Sequence, residues 1–193
     1  MKALLLDADG VVLAKGEYFS ERFAREYGIP LSDILPFFKG PLVACQRGDA
    51  DLKEELLPYL RQWKWEGGVD AFLAYWFTSD VVVAPGIERS AAAFRAKGVG
   101  CYLASNNEKY RAEVIMQTVR ERNLLDGFYF SHAIRSRKEN PEFFQYVLQD
   151  LSLPPEEVHF VDNDQKNIDA ALQLGVRAHL YTDAVLPALL EKM

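Results

Sequence analysis

Apolar and polar positions alternate in two textures along the 193-residue chain. Short apolar runs closed by Gly, Asp, Asn or Ser lie at 3–6, 99–104, 127–131, 157–161 and 177–181. Runs of this length, apolar on both faces, suit strands of a parallel sheet covered by helices on either side. Between the later runs, apolar residues recur at helical spacing. They are Ile87, Ala91 and Phe94 in 87–97, and Val114, Ile115 and Val119 in 108–122. Phe144, Val147 and Leu148 follow in 141–151, then Ile168, Ala171 and Leu172 in 167–174. The last helix stops at Gly175, a residue suited to the left-handed conformation that closes helices. Strand and helix in alternation predict a doubly wound, Rossmann-like α/β sheet.

Residues 15–84 break that alternation and read as helices only, at 19–27, 31–38, 51–62 and 69–78. Pro30, Pro41 and Gly67-Gly68 punctuate them. Asp51-Leu52-Lys53-Glu54 has the spacing of a capping box at the start of the third. All three tryptophans and 13 of the 24 aromatics fall in this stretch, which fits a lid that must pack and exclude water. The expected organisation is an α/β core domain from 1–14 and 85–193, with a helical cap domain, 15–84, inserted above the carboxyl edge of the sheet.

Composition narrows the function classes. Lys plus Arg is 22 and Asp plus Glu is 28, so the net charge is 22 − 28 = −6. This acidic balance argues against a general nucleic-acid or anionic-membrane binder, while leaving room for a locally positive site. The content of 49% hydrophobic residues excludes a disordered chain. Cys45 and Cys101 are isolated and lack metal-ligand spacing, which reads as packing residues in a reducing compartment. The N-terminal apolar run ends at Asp7, too early for a signal peptide, and no run is long enough to span a bilayer. A cytoplasmic protein without membrane or nucleic-acid partners is expected; oligomeric state is not legible.

Ligands of open α/β sheets bind at the carboxyl ends of the strands. Each apolar run here is followed by reactive or polar residues. After the first come Asp7 and Asp9, two carboxylates at strand spacing that suit a nucleophile and a general acid/base, or a solvated turn. After the second come Ser105, Asn106 and Asn107 at a helix start, where a hydroxyl and free N–H groups accept a phosphate, or simply cap the helix. Lys138 follows the third run as a cation for an anionic substrate or as a surface charge. Asp162, Asn163 and Asp164 follow the fourth as hard oxygen ligands for Mg²⁺ or as a helix-capping turn.

Taken together, these four stretches resemble the motifs of the haloacid dehalogenase-like hydrolase superfamily, in the subfamily with a helical cap that includes small sugar-phosphate phosphatases. Leu4-Leu5-Leu6-Asp7-Ala8-Asp9-Gly10-Val11 is similar to the first motif and Tyr102-Leu103-Ala104-Ser105-Asn106 to the second. Arg137-Lys138-Glu139-Asn140-Pro141 is similar to the third and the stretch 158–167 to the fourth; Gln46-Arg47-Gly48-Asp49 is similar to the cap of glucose-phosphate phosphatase-like members. The resemblance implies a Mg²⁺-dependent phosphatase acting on a small phosphorylated metabolite. In it, Asp7 is the nucleophile that forms an aspartyl-phosphate and Asp9 is the acid/base. Ser105 and Lys138 complete the catalytic set, and Asn106 and Gly10 contact the phosphoryl group. Asp7, Asp9 through its carbonyl, Asp162 and Asn163 hold the metal. Two departures stand out. Asn163 occupies a position where such members usually carry an acid, and Glu139-Asn140-Pro141 replaces the common Pro-Asp-Pro. The alternatives are a 2-haloacid dehalogenase, disfavoured by Asp9, and a binding protein on an impaired scaffold, motivated by Asn163. Lys39, Arg47, Trp63 and Trp65 are candidate substrate contacts in the cap. His132 and His159 read as structural.

Overall fold

The computed structural model describes residues 1–193. Strand β1 (Ala3–Leu6) is buried along its whole length. It is followed by five helices: α1 (Phe19–Tyr27), α2 (Leu31–Lys39), α3 (Pro41–Gln46), α4 (Leu52–Gln62) and α5 (Gly68–Asp80). The chain then returns to alternation. Helix α6 (Ile87–Ala96) leads to β2 (Gly100–Ser105), α7 (Lys109–Glu121) to β3 (Gly127–Phe130), and α8 (Ser131–Ile134) and α9 (Pro141–Leu151) to β4 (Val158–Asp162). Helix α10 (Gln165–Gln173), β5 (Arg177–Leu180) and α11 (Val185–Glu191) complete it. The strands form one parallel sheet in the order β3-β2-β1-β4-β5.

The sheet is built as the sequence predicts, with small shifts at element ends. Leu4 and Leu6 point to one face, where they pack with Phe94, Ile115 and Val119. Ala3 and Leu5 point to the other, with Phe144, Phe160 and Ile168. A strand buried on both faces needs no polar alternation, which is why these runs are apolar throughout. The short helices α3, α8 and α11 were not among the predicted elements. Their spans of six, four and seven residues are too short for a periodicity to establish itself.

Helices α1 to α5 enclose a separate core in which Phe19, Phe23, Phe37, Trp63, Phe72 and Trp76 pack together. The aromatic pairs there are mostly edge-on or tilted, as ring quadrupoles prefer, such as Phe19 with Phe72 at 5.5 Å. Asp51 caps α4, its Oδ1 accepting from Lys53 N at 2.8 Å and Glu54 N at 3.4 Å. The cap is one-sided, without the return bond of a full capping box. Two chain segments lead into and out of these helices side by side. Ala14 N donates to Val82 O and Ala84 N to Val12 O. No helix is long and apolar enough to cross a membrane.

Candidate active site

The topology decides what meets at the sheet edge. Strand order reverses at β1, so the crevice at the switch point lies over the ends of β1, β2 and β4. The register pairs Leu6 with both Leu103 and Val161, which sets Asp7 level with Asp162 across neighbouring strands. Asp7 N bonds Val161 O at 2.9 Å and holds that alignment. The chain then turns sharply at Gly10, whose φ is +82°. A Cβ there would lie 2.5 Å from Asn163 Nδ2, so only glycine admits both the turn and this approach.

Lys138 is the central cation of the site. It is 2% exposed, and its ammonium bonds Asp7 Oδ1 and, at 2.7 Å, Asp162 Oδ2. Burial alone would lower its pKa; the two carboxylates outweigh that and raise it. The loop carrying Lys138 is fastened by Asn106, whose Oδ1 accepts from Lys138 N at 2.9 Å and whose Nδ2 donates to Glu139 at 3.1 Å. Asp162 is fully buried and accepts from three donors: Asp164 N at 2.7 Å and Asn167 Nδ2 at 3.0 Å in addition to Lys138. Asp7 is pushed up from the ordinary carboxylate range, foremost by burial and also by Asp162, against the pull of Lys138.

Asp9 has different surroundings. Its side chain opens into the crevice, and both its oxygens are held by Arg111 of α7, at 2.9 Å and 2.5 Å. Burial works to raise its pKa, but the charge and hydrogen bonds of Arg111 win and hold it below the ordinary range. The sequence reading missed Arg111. From sequence the free N–H groups at the start of α7 suit either a phosphate or a cap by Ser or Asn. Glu108 takes two of them, accepting from Tyr110 N at 2.7 Å and Arg111 N at 2.6 Å. A carboxylate already occupies that helix end, so a phosphoryl group is left with donors nearer Ser105. The Ser105 hydroxyl is buried and accepts from Asn107 Nδ2 at 2.7 Å.

Asn163 and Asp164 part company. Asn163 Nδ2 donates to the Asp9 carbonyl at 2.7 Å, whereas Asp164 turns away to cap α10 through Lys166 N at 3.0 Å. No three His, Cys, Asp or Glu side chains converge as a ready-made metal cage. The donor set nevertheless fits a hard cation. Asp7 and Asp162 are two carboxylates, and the Asp9 carbonyl and the Asn163 carboxamide add neutral oxygens. Mg²⁺ asks for one or two carboxylates and completes its shell with water and substrate oxygens.

A crevice of about 560 Å³ opens above these groups and is roofed by the helices of 19–80. Asp7, Asp9, Gly10, Ser105, Asn106, Lys138, Asp162 and Asn163, the residues expected from sequence, all line it. The helical segment between β1 and α6 contributes Phe19, Arg22, Phe38 and Trp76. The four cap residues expected as contacts do not line it. Trp63 and Trp65 turn inward, their indole N–H groups bonding Asp33 O at 3.2 Å and Gly68 O at 2.8 Å. Arg47 pairs with Asp49 at 2.8 Å on the surface, and Lys39 also lies outside the lining. The histidines are structural contacts: His132 Nδ1 lies 3.0 Å from Asn107 O, and His159 Nδ1 lies 3.1 Å from His179 Nε2.

Several known proteins resemble this chain. A phosphorylated carbohydrates phosphatase of Thermotoga maritima is 21% identical over 186 residues, covering 91% of this chain and 82% of that protein. Drimenol cyclase drtB of Aspergillus calidoustus is 38% identical over 80 residues, 42% of this chain but only 15% of that longer protein. Among solved structures, a haloacid dehalogenase family enzyme of Bacteroides thetaiotaomicron, in complex with magnesium and inorganic phosphate, superposes with a TM-score of 0.76. It is 19% identical, with 94% of each chain covered. At that identity the likeness speaks for the fold. The family model of the haloacid dehalogenase-like hydrolases matches residues 1–175, through all four strand-end motifs, and the chain belongs to that family of hydrolases.

Proposed function

We propose that this protein is a Mg²⁺-dependent phosphatase that hydrolyses a small phosphorylated metabolite, a sugar phosphate being the leading class, through an aspartyl-phosphate on Asp7. The observation that carries the reading is the electrostatic split between two carboxylates at the end of β1, Asp7 held by the buried Lys138 and Asp9 by Arg111. Carboxylates in such different environments suit different roles. The phosphatase name of the Thermotoga relative and the magnesium and phosphate bound to the Bacteroides enzyme support it.

In the first step an Asp7 oxygen attacks phosphorus as the bond to the leaving oxygen breaks, and Asp9 gives that oxygen a proton. In the second, water attacks the phosphorus of the aspartyl-phosphate, Asp9 takes its proton, and the bond to Asp7 breaks to release phosphate. The negative phosphoryl group beside Asp9 opposes the pull of Arg111 and favours the protonated acid required first. Ser105 and the Asn106 N–H hydrogen-bond the phosphoryl oxygens, and Lys138 neutralises charge on Asp7 and on the transferring group. Asp7, Asp162, the Asp9 carbonyl and Asn163 would hold the metal, which when bound neutralises phosphoryl charge. The segment 15–84 acts as the cap, excluding water from the crevice and contacting the leaving group through the side that carries Arg22 and Trp76.

Hydrolysis of p-nitrophenyl phosphate and a panel of sugar phosphates, with Mg²⁺ and with chelator, tests the reading. Metal-dependent phosphate release that Asp7→Asn abolishes is expected; no release from any ester in the presence of metal refutes it. The aromatic wall of Phe19, Phe38 and Trp76 favours a second reading, dehalogenation of a 2-haloacid. Halide release without metal would decide for that reaction.

A further inference from the structure

Asp9 is held by an arginine that no strand-end motif contains. Arg111 lies in the first turn of α7, 102 residues from Asp9, and places its two terminal nitrogens on the two oxygens of that carboxylate. Its side chain is 10% exposed, whereas that of Asp9 is 58% exposed to the crevice. The arginine is therefore the fixed member of the pair. Glu108 anchors its main chain at 2.6 Å, and Asn107 Oδ1 accepts from the same guanidinium nitrogen that bonds Asp9 Oδ2, at 2.8 Å. Asp80 and Glu108 also face the guanidinium as counter-charges.

Balancing charge around the nucleophile does not require this arginine, because Lys138 already serves Asp7 and Asp162. Burying a guanidinium carries a desolvation cost that an apolar side chain would avoid. A two-pronged contact supplies what an apolar residue or a point charge does not, namely direction. The last torsion of an aspartate is soft and broadly populated, and a bidentate fork fixes the plane of the carboxylate. Positional tolerance at a proton-transfer distance is small, so such a constraint bears directly on rate.

We propose that Arg111 is a positioning residue for the acid of this enzyme, fixing the plane and reach of the Asp9 carboxylate so that one oxygen meets the leaving group. The inference rests on Asp9 being the acid/base of a phosphatase, as proposed above.

The test compares kcat/KM, which reports the leaving-group step, for phenyl phosphate and p-nitrophenyl phosphate, esters of nearly equal shape whose leaving groups differ in their need for a proton. General acid catalysis contributes about 10²–10⁴-fold, so in Arg111→Met the phenyl to p-nitrophenyl ratio of kcat/KM should fall at least about tenfold. Arg111→Lys keeps the charge and loses the fork; its ratio should fall at least about threefold. In the Asp9→Asn background, Arg111→Lys should leave the ratio where Asp9→Asn alone puts it, because the arginine acts through Asp9. Far-UV circular dichroism confirms the fold of each variant. An unchanged ratio in Arg111→Lys, or a further fall in the double variant, overturns the positioning role. An unchanged ratio in Asp9→Asn instead overturns the acid role of Asp9, so the two failures are distinguishable.

Discussion

Lys138→Met is the most direct probe of how the site is held together. The substitution keeps an unbranched side chain of similar length and removes the one cation between Asp7 and Asp162. At the 2.7 Å separation from Asp162 the gross attraction is about 6 kcal/mol for an effective dielectric of about 20. Desolvating the ammonium offsets much of this in the parent. The variant loses the attraction and leaves two buried carboxylates facing each other, and removing one partner of such a group costs about 3–5 kcal/mol. The pH dependence has a definite sign. Asp7 already sits high, at about 7, with burial as the main cause, and Lys138 is the main force against it. Without Lys138 the folded value rises further. A folded value above the unfolded one means stability gained as pH falls through it, so the loss is greatest near pH 9 and shrinks toward pH 6. Urea unfolding followed by far-UV circular dichroism at the two pH values measures both quantities. A loss below about 1 kcal/mol at pH 9, or a loss that grows as pH falls, would refute the idea that Lys138 neutralises this pair.

Further outcomes follow from other parts of the molecule. Asn163→Asp replaces the amide that donates to the Asp9 carbonyl with a charged oxygen donor, so it should tighten Mg²⁺ binding measured by calorimetry while lowering the metal-free melting temperature; weaker binding would contradict the proposed metal position. Asp51→Ala removes the cap of α4 together with its contacts to Lys109 at 2.5 Å and Tyr110 at 2.9 Å, and should destabilise by about 1–2 kcal/mol in denaturant unfolding. The Lys109 hydrogen bond, foremost, holds Asp51 at about 2, below its ordinary value, so that contribution is present above pH 4 and lost on acidification toward pH 2. His159 is held at about 4, first by burial and then by His179. Its folded value lies below the ordinary 6.5, so its neutral form stabilises the fold above that pH and the benefit is lost toward pH 4. Melting temperatures between pH 7 and 5 should therefore fall more steeply in the parent than in His159→Gln, and parallel slopes would exclude the effect.

Asp7, Ser105 and Asp162 were legible as candidate positions because each directly follows a short apolar run, whereas Lys138 lies seven residues beyond the end of the third. A strand buried on both faces must be apolar, so its end is marked by the first polar residue, and the parallel register carries Asp7 and Asp162 to the same level. Which side chains of the segment 15–84 line the crevice was not legible. Trp63, Trp65 and Trp76 share a composition signal, but only Trp76 lines the crevice, and helical spacing alone does not separate a residue packed inward from one facing a neighbouring module. The residue that caps α7 was not legible for a related reason. Ser, Asn and Glu all suit a helix N-terminus, and which of them takes the free N–H groups depends on burial: Glu108 is enclosed and takes two.

The sequence by itself determined the order of the strands and of the longer helices, the helical segment between β1 and β2 and the polar residue at each strand end, because periodicity and strand length are local properties. The tertiary structure alone decided the pairings. Arg111 meets Asp9 across 102 residues, Lys138 divides its charge between two strands, and Asn163 rather than Asp164 turns to the Asp9 carbonyl. Such contacts join side chains from different elements, with no required spacing along the chain. Their strength is set by burial and dielectric, which exist only once the sheet and its surrounding helices have packed around them.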